Sequence, residues 1–224
     1  LTPMMLAFVF SSVVGGQILS RTGRYKALAI GTVAIATLGM YLLSRMDVTT
    51  TNATVVRNMI VLGLGIGTTM SLFTIVIQNA FPPERLGEVT SALTFFRSIG
   101  GTVGAAILGT VMTNRFQSEL TARIPDQVRA LIPADRLATL ENPQVFMSPE
   151  AMQRMHEHAA AFGPQGQQVL EMLLGAIRTA LATALDHVFL AGTLIMALAL
   201  LCTLLIPEVP LRRSNTRPPA ALGH

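Results

Sequence analysis

Residues 58–81 read NMIVLGLGIGTTMSLFTIVIQNAF, with no Asp, Glu, Lys, Arg or His anywhere in the run. At 1.5 Å per residue a helix of this length spans the ~30 Å hydrocarbon core of a bilayer. Four further apolar runs accompany it, at about 1–19, 27–44, 89–114 and 187–206. Arg97 is the one Asp, Glu, Lys or Arg within any of the five. A buried soluble helix is the alternative for a single run. Five such runs in a 224-residue chain leave almost no polar exterior for a soluble fold. The pattern predicts an all-α membrane protein with five transmembrane helices.

Composition agrees. Apolar residues make up 51% and charged residues 12% of the chain, about half the charge of a soluble domain. The mean hydropathy of +0.55 argues against disorder. A single cysteine excludes an intramolecular disulfide framework and a four-cysteine metal site. Cys202 reads as a small packed hydrophobe. The chain opens on Leu1 inside an apolar run, without the basic n-region of a signal peptide. That opening predicts a piece of a longer protein whose N-terminal part is absent.

The segments between the runs assign sides. Residues 20–26 are a short basic loop, 45–57 a threonine-rich loop, and 82–88 a loop opening with a double proline. Residues 115–186 form a long polar insertion, and 207–224 a Pro- and Arg-rich tail. Arg21, Arg24, Lys26, Arg85, Arg212, Arg213 and Arg217 lie on one side, against Arg45 and Arg57 in the short loop opposite. The positive-inside rule makes the first side cytoplasmic. The insertion is then extracytoplasmic and the C-terminus cytoplasmic, in a multi-pass protein of the cytoplasmic membrane. The basic balance of +4 therefore reflects orientation in the bilayer, and no nucleic acid is expected as a partner. Within the insertion, 149–162 reads as a short helix. From Gln165 a proline-free stretch predicts one long helix entering the last span. Val169, Leu173, Leu174, Ile177, Leu181 and Leu185 form its apolar stripe. The stripe suits a cap over an outer vestibule, a docking surface, or an interfacial helix against the other spans.

Few residues carry chemistry. Arg97, about eight residues into its span, is costly there unless it is paired, hydrated or turned to the bundle interior. It reads as a partner for a buried carboxylate, as a determinant of cavity potential and proton coupling, or as a snorkelling or clamping arginine. Gln78 and Asn79, at the inner end of the third span, either line a polar cavity or mark the interface. Gly63 with Gly67, Gly100 with Gly104, Gly101 with Gly109, and Ser11 with Gly15 form small-residue rows that let helix backbones approach. Such rows serve fixed packing or a sliding contact. Met4, Met5, Met70, Phe73, Phe95 and Phe96 suit an adaptable apolar ligand or simply face lipid and core. His156 and His158, two apart, point to different faces of a helix and lack a third ligand, so no metal is expected. Neither a catalytic constellation nor a cofactor-binding glycine loop is present, and no enzyme or cofactor is expected.

Residues 16–26, GQILSRTGRYK, carry the most specific motif in the chain. They resemble the loop signature G-x-L-x-D-R-x-G-R-[RK] of the major facilitator superfamily. Gly16, Arg21, Gly23, Arg24 and Lys26 match its glycines and basic cluster. Ser20 stands at the aspartate, as in the second, C-terminal copy, so the first copy's aspartate charge relay is not carried over. Residues 95–114, FFRSIGGTVGAAILGTVMTN, are similar to the penultimate span of fourteen-helix EmrB/QacA-type drug:proton antiporters. The long outer loop and the ending LLIPEVPLRR are similar too. The resemblance implies helices ten to fourteen of such a transporter, the greater part of a C-terminal half. It implies proton-driven export of amphipathic, often cationic, small molecules by alternating access. Its gate loop would be Gly16, Arg21, Gly23, Arg24 and Lys26. The partners would be the lipid bilayer, the small amphipathic substrate, protons and the missing N-terminal half. A periplasmic adaptor would apply only in a two-membrane bacterium, and no residue supports one. A narrow-substrate metabolite exporter and a non-transporting membrane scaffold or receptor are the alternatives.

Overall fold

The computed structural model of the chain describes residues 1–23, 25–124, 153 and 163–206. Five long helices account for almost all of them: α1 (Thr2–Thr22), α2 (Tyr25–Leu43), α3 (Asn52–Ala80), α4 (Leu86–Arg123) and α5 (Gly163–Leu205). No strand occurs among the described residues. All five are long and apolar enough to cross a membrane. The chain is thus part of an all-α, multi-pass membrane protein.

The helix ends follow local chemistry. Pro3 lies in the first turn of α1, where a missing N–H is harmless. Gly23 ends α1 in the left-handed region (φ 65°), and its N–H donates to the Leu19 carbonyl at 2.9 Å. Pro82 is extended (φ −63°, ψ 150°) and separates α3 from a single 3₁₀ turn, Pro83–Arg85, that leads into α4. Between α2 and α3, the Asp47 carboxylate accepts from the Thr49 N–H (2.9 Å) and from the hydroxyls of Thr49 (2.7 Å) and Thr50 (3.0 Å).

Two helices run well beyond the bounds expected from the sequence. Helix α3 begins at Asn52, so Arg57 lies inside it and donates from Nε to Asn58 Oδ1 at 3.3 Å. Helix α4 continues past Asn114 through Arg115 to Arg123, where an i,i+4 ion pair joins Arg123 to Glu119. Apart from Gln153, the short helix expected over 149–162 lies outside the described residues, as does the tail from 207.

The chain divides into two compact units. Over the described residues, those of 1–39, 56–100 and 195–206 form one, and those of 40–55 and 101–194 the other. In the first unit, α2 and α3 pack antiparallel: Gly39 meets Leu62, Gly65 meets Ala36, and the Thr69 hydroxyl donates to Thr32 at 3.1 Å. Helices α1 and α3 run parallel, with contacts that advance together. Gly63 lies against Met4, Ala7 and Phe8, Gly67 against Phe8 and Ser11, and Ser12 bonds Ser71. Bilayer hydrocarbon is as apolar as Leu, so these helices gain from close contact and interhelical hydrogen bonds rather than from the hydrophobic effect. Leu19, Tyr25, Ala29 and Leu72 close this packing beside the α1–α2 turn.

In the second unit, the C-terminal part of α4 packs on the N-terminal part of α5. Phe116, Leu120 and Ile124 bury against Leu173, Ile177, Ala180 and Ala184. The α5 positions step by four, three and four, the spacing of a coiled-coil seam. The expected stripe is partly realised. Leu173 and Ile177 are in this core, with Val169 and Leu181 packed beside it, whereas Leu185 is exposed. Ala180 and Ala184 take the buried line because their small side chains admit the facing helix. Further along α5, Gly192 lies against Met40.

Candidate functional site

Helix α3 presents its polar side chains in sequence to its neighbours within the first unit. The Thr68 hydroxyl donates to the Ser11 carbonyl at 2.9 Å, and the Ser11 hydroxyl reaches the Gly63 carbonyl at 3.3 Å. Toward the C-terminal end of α3, Gln78 Nε2 donates to Thr90 Oγ1 at 3.3 Å, and Arg97 donates from Nη2 to Thr74 Oγ1 at 3.2 Å. These last two bonds join α3 to α4.

Arg97 lies eleven residues into α4, roughly 16 Å from its first residue. The Gln78–Thr90 pair sets an antiparallel register that places Thr74 level with about residue 94. The Arg97 Cα is therefore ~4.5 Å further along α4. Its guanidinium reaches back toward the N-terminal end of α4, the direction in which helical side chains lean. Thr74 is oriented to receive it, because its own hydroxyl donates to the Met70 carbonyl at 2.8 Å. Among the described residues no carboxylate pairs with Arg97, and the side chain is exposed. One turn on, a Cβ added at Gly100 meets no described atom within 4 Å.

Sequence-selected residues fall into three groups. Arg97 and Gln78 come to one α3–α4 seam, whereas Asn79 turns back to its own helix and donates to the Ile75 carbonyl at 2.9 Å. Gly63 and Gly67 are packed against α1, while Gly101, Gly104 and Gly109, like Gly100, meet no described atom within 4 Å of an added Cβ. In the loop motif, Gly23 makes the turn, Arg21 is exposed in the last turn of α1, and Lys26 is half-buried at the start of α2. Leu19 and Tyr25, which bracket the loop, are buried together against Leu72 of α3. The Ser20 hydroxyl donates to the Gln17 carbonyl at 2.8 Å. Close approach near Gly16 belongs instead to Gly15, whose added Cβ would collide with Thr68. Arg24, His156 and His158 lie outside the described residues.

Sequence reading missed Thr74 and Thr90, the acceptors for Arg97 and Gln78, and also Gly39 and Gly65. Thr74 stands one turn from Gln78 on a helix with several other threonines, so nothing in the sequence singled it out. Phe95 and Phe96, an edge-to-face pair at 5.7 Å, are 60% and 71% exposed and line no buried site.

Residues 1–105, which hold the loop motif, the α1–α3 packing and the Arg97 seam, match the family model described as Major Facilitator Superfamily. The chain is 31% identical over 228 aligned residues to "Multidrug transporter protein MdtP" of Bacillus subtilis, covering 97% of this chain and 40% of that protein. It is 32% identical over 147 residues to "Rubrofusarin-specific efflux pump aurT" of Gibberella zeae, covering 61% of this chain and 27% of that protein. It is 35% identical over 113 residues to "Tetracycline resistance determinant" of Streptomyces rimosus, covering 49% of this chain and 32% of that protein. The chain thus spans less than half the length of each of these relatives. No solved structure matches it. The superfamily's loop signature lies within the matched residues, at the α1–α2 turn.

Proposed function

We propose that this chain is the C-terminal part of a fourteen-helix, EmrB/QacA-type transporter that exports amphipathic small molecules against a proton gradient by alternating access. The observation that carries this reading is the alignment of 97% of the chain, membrane helices and outer segment together, with a multidrug transporter. The names of the other relatives, an efflux pump and a tetracycline resistance determinant, agree with it. All these names are transporters', which fits a protein that is not an enzyme.

In this reading residues 1–114 and 187–206 cross the cytoplasmic membrane, 115–186 face outward, and the tail 207–224 is cytoplasmic. Gly16, Arg21, Gly23, Arg24 and Lys26 form the cytoplasmic gate loop. Leu19 and Tyr25 anchor it on α3. Arg97, Gln78 and Asn79 face the inner cavity. Gly63 and Gly67 fix α1 to α3. Gly100, Gly101, Gly104 and Gly109 offer α4 a face for the remainder of the transporter, whose N-terminal half supplies the proton-coupling carboxylates. The partners are lipid, substrate and protons.

Energised dye efflux tests this. The full-length gene in cells lacking their own pumps should lower ethidium accumulation, and a protonophore should restore it. Properly inserted protein that leaves a broad dye panel unmoved would refute multidrug export. A narrow-substrate exporter is the second reading, favoured by the similarity to a pump named as rubrofusarin-specific. Export of one compound from the same panel, with the rest unmoved, would select it.

A further inference from the structure

We infer that Arg97 is an anion-recognition group, and that the transporter accepts amphipathic substrates bearing an acidic group, such as a carboxylate or phenolate. The inference rests on the transport reading above and names a substrate class for it. Two observations carry it. Arg97 brings the one formal Lys, Arg, Asp or Glu charge into the five apolar runs, so these contribute positive and no negative charge to the membrane interior. Its guanidinium is held at a fixed place, because Thr74, oriented by its own bond to the Met70 carbonyl, accepts one N–H.

A guanidinium has five N–H donors, and Thr74 engages Nη2 alone among them. The remaining fork matches a carboxylate, and such a charge-assisted pair is about twice as strong as a neutral hydrogen bond. Gln78, with Nε2 committed to Thr90, leaves its Oε1 as an acceptor on this seam for a substrate N–H or O–H. An unpaired arginine within the membrane is costly, so an occupant that neutralises it lowers the free energy of the loaded state. Thr74 is a positioning residue: it acts on substrate through Arg97.

The test uses two xanthene dyes of nearly equal size, rhodamine B with a free carboxylate and rhodamine 6G, which carries an ethyl ester. Both are followed by efflux from cells and by fluorescence anisotropy on the purified full-length protein. Arg97→Gln should reduce binding and efflux of the carboxylate dye about tenfold and change those of the ester less than about twofold. Arg97→Lys should keep part of the discrimination, and Thr74→Val should lose about threefold on the carboxylate dye alone. An equal fall for both dyes would assign Arg97 to coupling or to a carboxylate elsewhere in the transporter and overturn the inference. Unchanged preference in Arg97→Gln would also overturn it, even with export intact. Absence of protonophore-sensitive efflux for either dye would count against the transport reading separately, and the anisotropy comparison would still decide the role of Arg97.

Discussion

Replacing Gly65 by alanine should destabilise the protein. A Cβ at Gly65 would lie 2.5 Å from the Ala36 Cα and 2.7 Å from its Cβ. Carbon atoms in ordinary contact stand about 3.5–4.0 Å apart. Helices α2 and α3 would therefore have to separate by roughly 1 Å. The Thr69–Thr32 hydrogen bond, one turn away at 3.1 Å, would be stretched with them. Overpacking of this kind costs about 1–3 kcal/mol, and the lost interhelical bond about 0.6 kcal/mol more. Alanine's better helix propensity offsets up to ~1 kcal/mol of that. The net is a loss of roughly 1–2 kcal/mol for Gly65→Ala. The assay is thermal stability of the full-length protein in detergent, read by monodispersity after heating. Gly65→Ala is expected several degrees below wild type. A Gly65→Ala protein as stable as wild type would refute the close α2–α3 packing.

Gly23→Ala should lower the same melting temperature by the equivalent of about 1 kcal/mol, because an L side chain is strained at φ 65°; Gly23→Asn should recover most of it. Phe116→Ala, which empties a fully buried site between α4 and α5, should cost about 3–5 kcal/mol. Limited proteolysis should then cut the Arg115–Ile124 stretch faster than in wild type. The Asp47 carboxyl is held below its usual range by the Thr49 hydroxyl first, then the Thr50 hydroxyl and the Thr49 N–H. Depression of the folded-state value means its stabilisation is present above the unfolded pKa near 3.8 and lost as pH falls through the lower folded value. The melting difference between wild type and Asp47→Asn should therefore be small, constant at neutral pH, and vanish in strong acid.

What the sequence reveals here depends on which interaction decides the structure. Hydrocarbon thickness and charge placement are properties of runs, so all five helices were legible. The loop motif at 16–26 was legible because a left-handed glycine between two helices leaves a fixed spacing. Helix ends were less so. Apolar runs stop where the membrane is expected to stop, but backbone hydrogen bonding does not, and α4 continues to Arg123 on an ion pair and a buried Phe116. The buried line of α5 was misjudged at its C-terminal end because hydrophobicity favours Leu181 and Leu185, whereas close helix approach favours Ala180 and Ala184. Glycine rows showed which surfaces were smooth but not what lies against them. Gly63 and Gly100 look alike in sequence, and the structure puts Met4 and Phe8 against one and no described atom near the other. Thr74 was invisible for a related reason, since a threonine on an apolar helix usually bonds its own carbonyls.

The two sides of α3 in the first unit differ in how they are held, and that difference bears on the proposed mechanism. Gly39, Gly63, Gly65 and Gly67 bring α1, α2 and α3 into backbone contact. Such contacts have no intermediate setting: the methyl-sized gaps are filled or the helices part. The inner part of α4 is tied to α3 by the side-chain bonds Arg97–Thr74 and Gln78–Thr90, each worth about 0.6 kcal/mol in a membrane. These two bonds oppose a movement of α4 across α3 only weakly, while a movement of α2 needs the backbone packing to be remade. Arg97 belongs to both the tether and the proposed anion site. Since Thr74 takes one of its five N–H groups, an acidic substrate does not have to break the tether in order to bind. In the proposed reading, substrate binding adds a restraint where α4 meets α3. Removing Thr74 should leave α4 freer and Arg97 less well aimed, which is why Thr74→Val is expected to reduce recognition of the acid without abolishing it.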